Sequence, residues 1–231
     1  AQTQPSLKEL IVEMEDEVLA KEGVDVFEEV FKLIFAKIYD EWKSGHDDKH
    51  AFTPRNLQFR NVGTEQEVKN RIEKLFSDAK KQWEKVFPDK DTLNLTPSAL
   101  ATCVAYLENR KLLNSNLDLV DEAFEYLINK TAKGEKGQYF TSRWVIDMAV
   151  KMLNPKEHEF MIDTAAGSSG FTVHTIFHVW EQILRDMKMK VSHLFTSEDK
   201  PARCTNYVQE KVFAIDFDPK AVRVARCLNL I

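Results

Sequence analysis

The chain has 231 residues, of which 43% are hydrophobic and 30% charged, a balance that suits one large folded domain or two small ones with enough apolar surface for real cores. Its longest apolar stretch, Val26 to Trp42, is interrupted by Glu28, Glu29, Lys32, Lys37 and Asp40 and is too polar to cross a bilayer, so no membrane partner is expected. The formal charge of −5 is uneven: residues 1–130 hold 25 acidic and 18 basic side chains, and residues 131–231 hold 12 and 14, whereas a chain that grips nucleic acid unaided is usually more basic.

The opening segment AQTQPSLKEL has no basic stretch leading into an apolar one, so no secretory leader is expected. Cysteines 103, 204 and 227 are widely spaced and form no CxxC pair; they are expected as reduced thiols, which fits a cytoplasmic location.

In chain order, a helix is expected from Leu7 to Lys21, with Gly23 as its stop. The segment VFEEVFKLIFAKIYDEWK places Phe27, Val30, Phe31, Ile34, Ile38 and Trp42 at spacings of three and four, with Glu28, Glu29, Lys32 and Glu41 between them. That pattern predicts an amphipathic helix with an aromatic face turned inward. Gly45 to Gly63 is polar and broken by Pro54, and reads as a loop. Helical spacing returns from Glu65 to Val86 through Val68, Ile72, Leu75, Phe76 and Ala79, with Pro88 as its end. Thr96-Pro97 predicts an N-cap followed by proline in the first turn. Two more helices are expected over Ser98 to Leu107 and Leu119 to Asn129. The first 131 residues therefore read as a helical domain whose stripes form its core.

The character changes near residue 131. Four of the seven glycines, 134, 137, 167 and 170, fall in one short stretch, and glycine marks places where the backbone turns sharply or lets something approach. Three segments matter there. KGEKGQYFTSRWVIDMAVKML reads as a turn and then a helix from Ser142 to Leu153, stopped at Asn154-Pro155. EFMIDTAAGSSGF is an apolar run ending in Asp163, then a loop of small residues, then a helix. KVFAIDFDPKAVRVARCLNL is an apolar strand ending in Asp216, with a helix opening at Asp218-Pro219. Strand, glycine loop, helix, strand and acid together make a cradle for a nucleotide or nucleoside: small residues expose backbone N–H groups, the helix start offers positive potential, and an acid at the next strand end accepts ribose hydroxyls. The loop matches neither GxGxxG nor GxxxxGK[ST]. Taken alone, DxxxGxxG reads more readily as a plain turn than as a site; the acid-tipped strand beside it favours the site.

These segments resemble a known family. GQYFTSR is similar to the GQ[YF]FTPR segment, DTAAGSSGF to the DPACGTGGF loop, and AIDFDPKAVRVARCLNL to the G-[IV]-[DE]-x-[DN]-P segment of the N6-adenine DNA methylases, in particular the modification subunits of type I restriction–modification systems. The resemblance implies an α/β architecture: a mostly helical N-terminal domain, residues 1–131, then over 132–231 the start of a Rossmann-like methyltransferase domain with an incomplete parallel sheet. It implies S-adenosyl-L-methionine (SAM) as cofactor, DNA as substrate, and a specificity subunit and a restriction subunit as partners. Carried over by position, Gln138, Tyr139, Phe140 and Thr141 would close over the methionine end of SAM. Asp163, Ala165, Ala166, Gly167, Ser168, Ser169 and Gly170 would line its methionine and ribose side. Asp216 would hold the ribose hydroxyls, and Phe217 would pack on the adenine.

The sequence departs from the family at Ser142 and Thr164, where proline is usual, at Ala166 in place of cysteine, and at Ser168-Ser169 in place of Thr-Gly or Ser-Gly. Ser169 puts a side chain where the loop is expected to need a positive φ. The target-base motif [ND]PP[FYW] does not occur in the 231 residues. The chain is therefore expected to be the front part of an adenine-N6 methyltransferase, with its catalytic motif downstream of Ile231 and no methylation by this piece alone. His174 and His178 stand one helical turn apart but lack an HExxH pattern or an evident third ligand, so no metal is expected. Two other readings stay open: a SAM-dependent methyltransferase of protein or RNA, and a non-catalytic interaction module with a degenerate SAM loop.

Overall fold

A computed structural model describes residues 5–47, 57–113, 122–128, 141–192, 194 and 200–229. The chain divides into two compact units, residues 1–131 and 132–230.

The first unit is helical. Its entry runs from Leu7 to Glu22 as α1 (Leu7–Met14), a π-helical turn (Glu15–Leu19) and a short α2 (Ala20–Glu22). Ser6 and Glu9 form a reciprocal capping box at the start, and Gly23 closes the end at φ 67°, a left-handed angle that costs glycine little. The expected single helix is thus interrupted: the Ala20 N–H reaches back to Glu15 O, and the widened turn lets Met14, Glu15 and Leu19 all face inward.

The long helix α3 spans Val26–Asp47, running past the expected loop start at Gly45. Next come α4 (Glu65–Gln82), α5 (Pro97–Leu107) and α6 (122–128). Thr64 and Glu67 make a capping box for α4, and Thr96 caps α5 ahead of Pro97. The expected run of α4 to Val86 is corrected: it stops at Gln82, and Lys85 lies at φ 70°. Leaving the helix there turns Val86 and Phe87 into the core, where the Phe87 ring meets Phe31, Phe35 and Phe76 at 4.9, 5.2 and 5.2 Å. Lys80 ties the turn down by donating to Asp89 O and Asp91 O.

A second correction concerns α3. Most of its polar positions do not face water: Lys43 is exposed, but Glu29, Lys32, Lys37, Asp40 and Glu41 are all buried with its apolar stripe. Each is matched. Lys32 donates to Glu29 at 2.7 Å and to Thr92 O at 2.8 Å, and Glu29 accepts the Asn94 N–H. Asp40 accepts the Phe59 N–H, and Glu41 accepts the N–H groups of Leu112 and Leu113. The helix is a central post whose charges hold three connecting loops by their backbone, which is how buried charge is tolerated.

The second unit contains α7 (Arg143–Leu153), β1 (Met161–Asp163), α8 (Gly170–Asp186), α9 (Ala202–Lys211), β2 (Val212–Ala214) and α10 (Pro219–Leu228). The expected helix stop at Asn154 is present, with φ 47° in the left-handed region. The strands pair in parallel, Met161 beside Val212, Ile162 beside Phe213 and Asp163 beside Ala214. Ile176, Val179 and Ile183 of α8 pack with Cys204 and Tyr207 of α9, and Val212 of β2 closes on them. Phe160, Ile162, Phe213 and Ile215 alternate onto the other face of the sheet and are exposed. Cys103, Cys204 and Cys227 are free and buried, and burial pushes the Cys103 thiol up to about 12. Among the described residues no helix is long and apolar enough to cross a membrane.

Candidate cofactor site

Two short strands place two acids side by side. β1 ends at Asp163, and two residues beyond β2 stands Asp216. Past the strand ends the ladder continues through the loop: Ile215 N–H donates to Asp163 O at 2.8 Å, and Ala166 N–H donates to Ile215 O at 3.0 Å. The side chains act on the same few residues. Asp163 Oδ1 accepts the Ala165 N–H at 3.1 Å, and Asp216 Oδ2 accepts the Gly167 N–H at 2.7 Å. Asp216 Oδ1 accepts the Asp218 N–H at 2.8 Å, and Asp218 in turn caps α10 through the Lys220 N–H. Both aspartates thus converge on the 165–167 loop, at the carboxyl ends of neighbouring parallel strands, where open α/β sheets receive ligands.

The loop then turns into α8. Gly167 has φ 53°, and a Cβ there would meet nothing within 4 Å, so the backbone at this point borders open space. Ser169 N–H bonds Ala166 O to close the turn. Ser169 is the N-cap of α8 at φ 78°, with no capping bond from its side chain. The side chain expected to be uncomfortable there is fully buried, and among the described residues its hydroxyl has no hydrogen-bond partner. Thr172, one turn on, is likewise buried, its hydroxyl unpartnered among the described residues. On the far side of Gly170, a Cβ would come 2.8 Å from Ile146 Cδ1 of α7, so glycine at 170 lets α7 pack against the loop.

Of the residues singled out from the sequence, Asp163, Ala165, Ala166, Gly167, Ser168, Ser169, Gly170 and Asp216 lie in this one loop and strand-end arrangement. Thr141 is exposed just ahead of α7, and Phe217 beside Asp216 is 94% exposed. Gln138, Tyr139 and Phe140 lie outside the described residues. The sequence reading missed Ile146 and Thr172. Thr172 carried a faint signal, a hydroxyl three residues after Ser169 on a helix start; Ile146 carried none, because its contact is made only in three dimensions. His178 is engaged with Asn154, its Nε2 lying 3.0 Å from Asn154 Oδ1. Burial, with the Lys156 cation nearby, holds its pKa below the ordinary value.

Ser169 yields a first expected result. A left-handed φ costs a non-glycine residue about 1–2 kcal/mol, part of which glycine gives back through chain entropy. Ser169→Gly is expected to raise the unfolding free energy of the second unit by about 1 kcal/mol, read as a higher urea midpoint. A lower midpoint would show that the serine is held there by a favourable contact.

Residues 115–228 match the family described as N-6 DNA Methylase. Over this segment, just under half of the chain, the sequence is similar to the N-6 DNA methylase family. Among similar proteins, the chain is 32% identical over 121 residues to the type I restriction enzyme StySJI methylase subunit of Salmonella typhimurium, covering 49% of this chain and 23% of that protein. It is 30% identical, over the same number of residues and the same shares, to the StySPI methylase subunit of Salmonella potsdam. It is 30% identical over 115 residues to the EcoKI methylase subunit of Escherichia coli K12, covering 47% of this chain and 22% of that protein. The matched stretches thus span less than a quarter of these relatives.

Proposed function

We propose that this chain is part of a DNA adenine-N6 methyltransferase, the modification subunit of a restriction–modification system, with its SAM site at the 163–170 loop and Asp216. The observation that carries the reading is the convergence of Asp163 and Asp216 on one backbone loop. On this reading β1 and β2 are two strands of a Rossmann-like sheet, and the protein works on DNA in the cytoplasm with a specificity subunit and a restriction subunit. The relatives are named as methylase subunits of type I restriction enzymes, and the family description supports the methyl acceptor.

The residues present fit a sulfonium nucleoside. Among the described residues Gly167 leaves room for a ligand against the backbone, the Ser169 and Thr172 hydroxyls are buried without partners, and Phe217 offers a bare aromatic face. SAM supplies a methyl group on a positively charged sulfur, already a good leaving group. The protein would supply orientation: Asp216 would accept ribose hydroxyls, Phe217 would stack on the adenine, and Asp163 and residues 165–170 would line the methionine and ribose side. Holding the donor in line with an extruded base amine is where most of the rate enhancement arises.

Titration calorimetry with SAM tests the site: micromolar binding is expected, and no heat at millimolar SAM removes it. Labelled-methyl transfer by the longer protein that carries this segment, offered DNA and protein in parallel, tests the acceptor; label in protein alone overturns the DNA assignment. One observation favours a second reading. The strained Ser169 is what a loop released from cofactor binding would tolerate, and a longer protein that binds no SAM would be a non-catalytic interaction module.

A further inference from the structure

In the reading above Asp216 receives the ribose, yet its carboxylate is already in use within the protein. Oδ2 takes the Gly167 N–H at 2.7 Å, bridging from the end of β2 to the loop that leaves β1. Oδ1 takes the Asp218 N–H at 2.8 Å, closing the turn that opens α10. Among the described residues nothing lies within 4 Å of where a Gly167 Cβ would stand. On that side of the loop Gly167 is held by a hydrogen bond. The neighbouring bond, Ala166 N–H to Ile215 O, is made to main chain and does not depend on the side chain at 216.

Each carboxylate oxygen has two lone pairs, so each keeps one after accepting its N–H. We infer that Asp216 is a positioning residue as well as a ribose acceptor: it latches the glycine loop before the cofactor arrives, and the two ribose hydroxyls then take the second lone pair of each oxygen. One carboxylate therefore couples loop order to diol recognition. Two N–H donors also fix its rotamer, so the acceptor is pre-organised and binding costs less ordering. By linkage, whatever the latch contributes to SAM affinity, SAM returns to the order of the loop. The identity of the diol rests on the proposed SAM site; the latch rests on the hydrogen bonds alone.

Asp216→Asn is the informative change. A carboxamide has one oxygen and one NH₂, so in either orientation its NH₂ opposes one of the two backbone donors and an arm of the latch is lost. The experiment is amide hydrogen exchange by NMR on the 231-residue chain, first without cofactor. Whichever amide the NH₂ comes to oppose, Gly167 or Asp218, is expected to exchange at least tenfold faster in D216N, while Ala166 and Val173, whose acceptors are main-chain carbonyls, keep their rates. Equal rates in both proteins at both Gly167 and Asp218 overturn the latch. If D216N does not fold, the unaltered chain decides: Gly167 must be protected without cofactor, and an unprotected amide there overturns the latch as well. S-adenosylhomocysteine is then added to the unaltered chain. Slower Gly167 exchange supports the coupling. A Gly167 amide protected from the start but unmoved by millimolar ligand keeps the latch and removes the SAM reading, so the two failures are told apart.

Discussion

Glu41→Ala is expected to destabilise the first unit by about 3–5 kcal/mol, the usual cost of breaking a buried ion pair from one side. Glu41 is 1% exposed and Lys37 is fully buried, with 3.1 Å between their charged atoms. Alanine leaves the Lys37 ammonium with Glu108 O at 3.3 Å, the Phe59 ring at 5.2 Å and the electrostatic pull of Asp40, none of which replaces the direct pair. It also strands the Leu112 and Leu113 N–H groups, which reach Glu41 at 2.9 and 2.7 Å. Both penalties fall on groups that water cannot reach. Urea unfolding checks the value, and a loss below about 1 kcal/mol would place the pair in contact with solvent.

The same residues set an unusual pH dependence. Burial pushes the Asp40 and Glu41 carboxyls above their ordinary values of 3.8 and 4.5, against the downward pull of the Phe59 N–H on the first and of Lys37 on the second. The folded state then holds protons at a pH where the unfolded chain has released them. The stability this contributes is full below the ordinary carboxylate values and is lost as pH rises through the raised ones. The exposed capping carboxylates Glu9 and Glu67 oppose it, because hydrogen bonds from Ser6 and Thr64 hold their pKa values low; their contribution is lost as pH falls. The clean readout is therefore a difference. Between the ordinary carboxylate range and neutrality, unfolding free energy is expected to fall less with rising pH in Glu41→Gln than in the unaltered protein. Parallel profiles would mean that Glu41 titrates as an exposed acid.

Phe31→Ala is expected to cost about 3–5 kcal/mol, the range for deleting a buried aromatic ring. Phe31 is fully buried, with ring centroids 5.6 Å from Phe27, 4.9 Å from Phe87 and 5.2 Å from Phe124, the last edge to face. It joins α3 to the 83–88 turn and to α6, so an alanine there opens a cavity between three segments that cannot all collapse inward together. Phe31→Leu keeps much of the volume and is expected to cost less than half as much. Equal losses for the two variants would show that ring geometry, and not filled volume, holds the joint.

Local rules carried much of the fold. The apolar spacing in α3, α4 and α5, the Thr96-Pro97 and Asp218-Pro219 starts, and the Asn154 stop depend on neighbours a few residues apart, and sequence contains all of that information. The aspartates at both strand ends and the awkward serine at 169 were legible for the same reason: a glycine loop makes its demands on the residues within it. The three-residue strands are too short to announce themselves by alternation, and their parallel pairing joins positions about fifty residues apart. The end of α4 at Gln82, the π turn at Glu15–Leu19 and the fit of Ile146 against Gly170 were set by distant partners.

The plainest divide runs through α3. Its sequence determined that a helix forms and which stripe is apolar. It did not determine what the other side meets, because Glu29, Lys32, Lys37, Asp40 and Glu41 spell the same pattern whether water or loop backbone surrounds them. Only the tertiary structure decided that, by bringing the amides of Phe59, Asn94, Leu112 and Leu113 within reach of carboxylates that would otherwise have to stay in solvent. Likewise, sequence determined that acids stand at two strand ends, and the fold decided that they share one loop, since a hydrogen bond depends on distance in space and not along the chain.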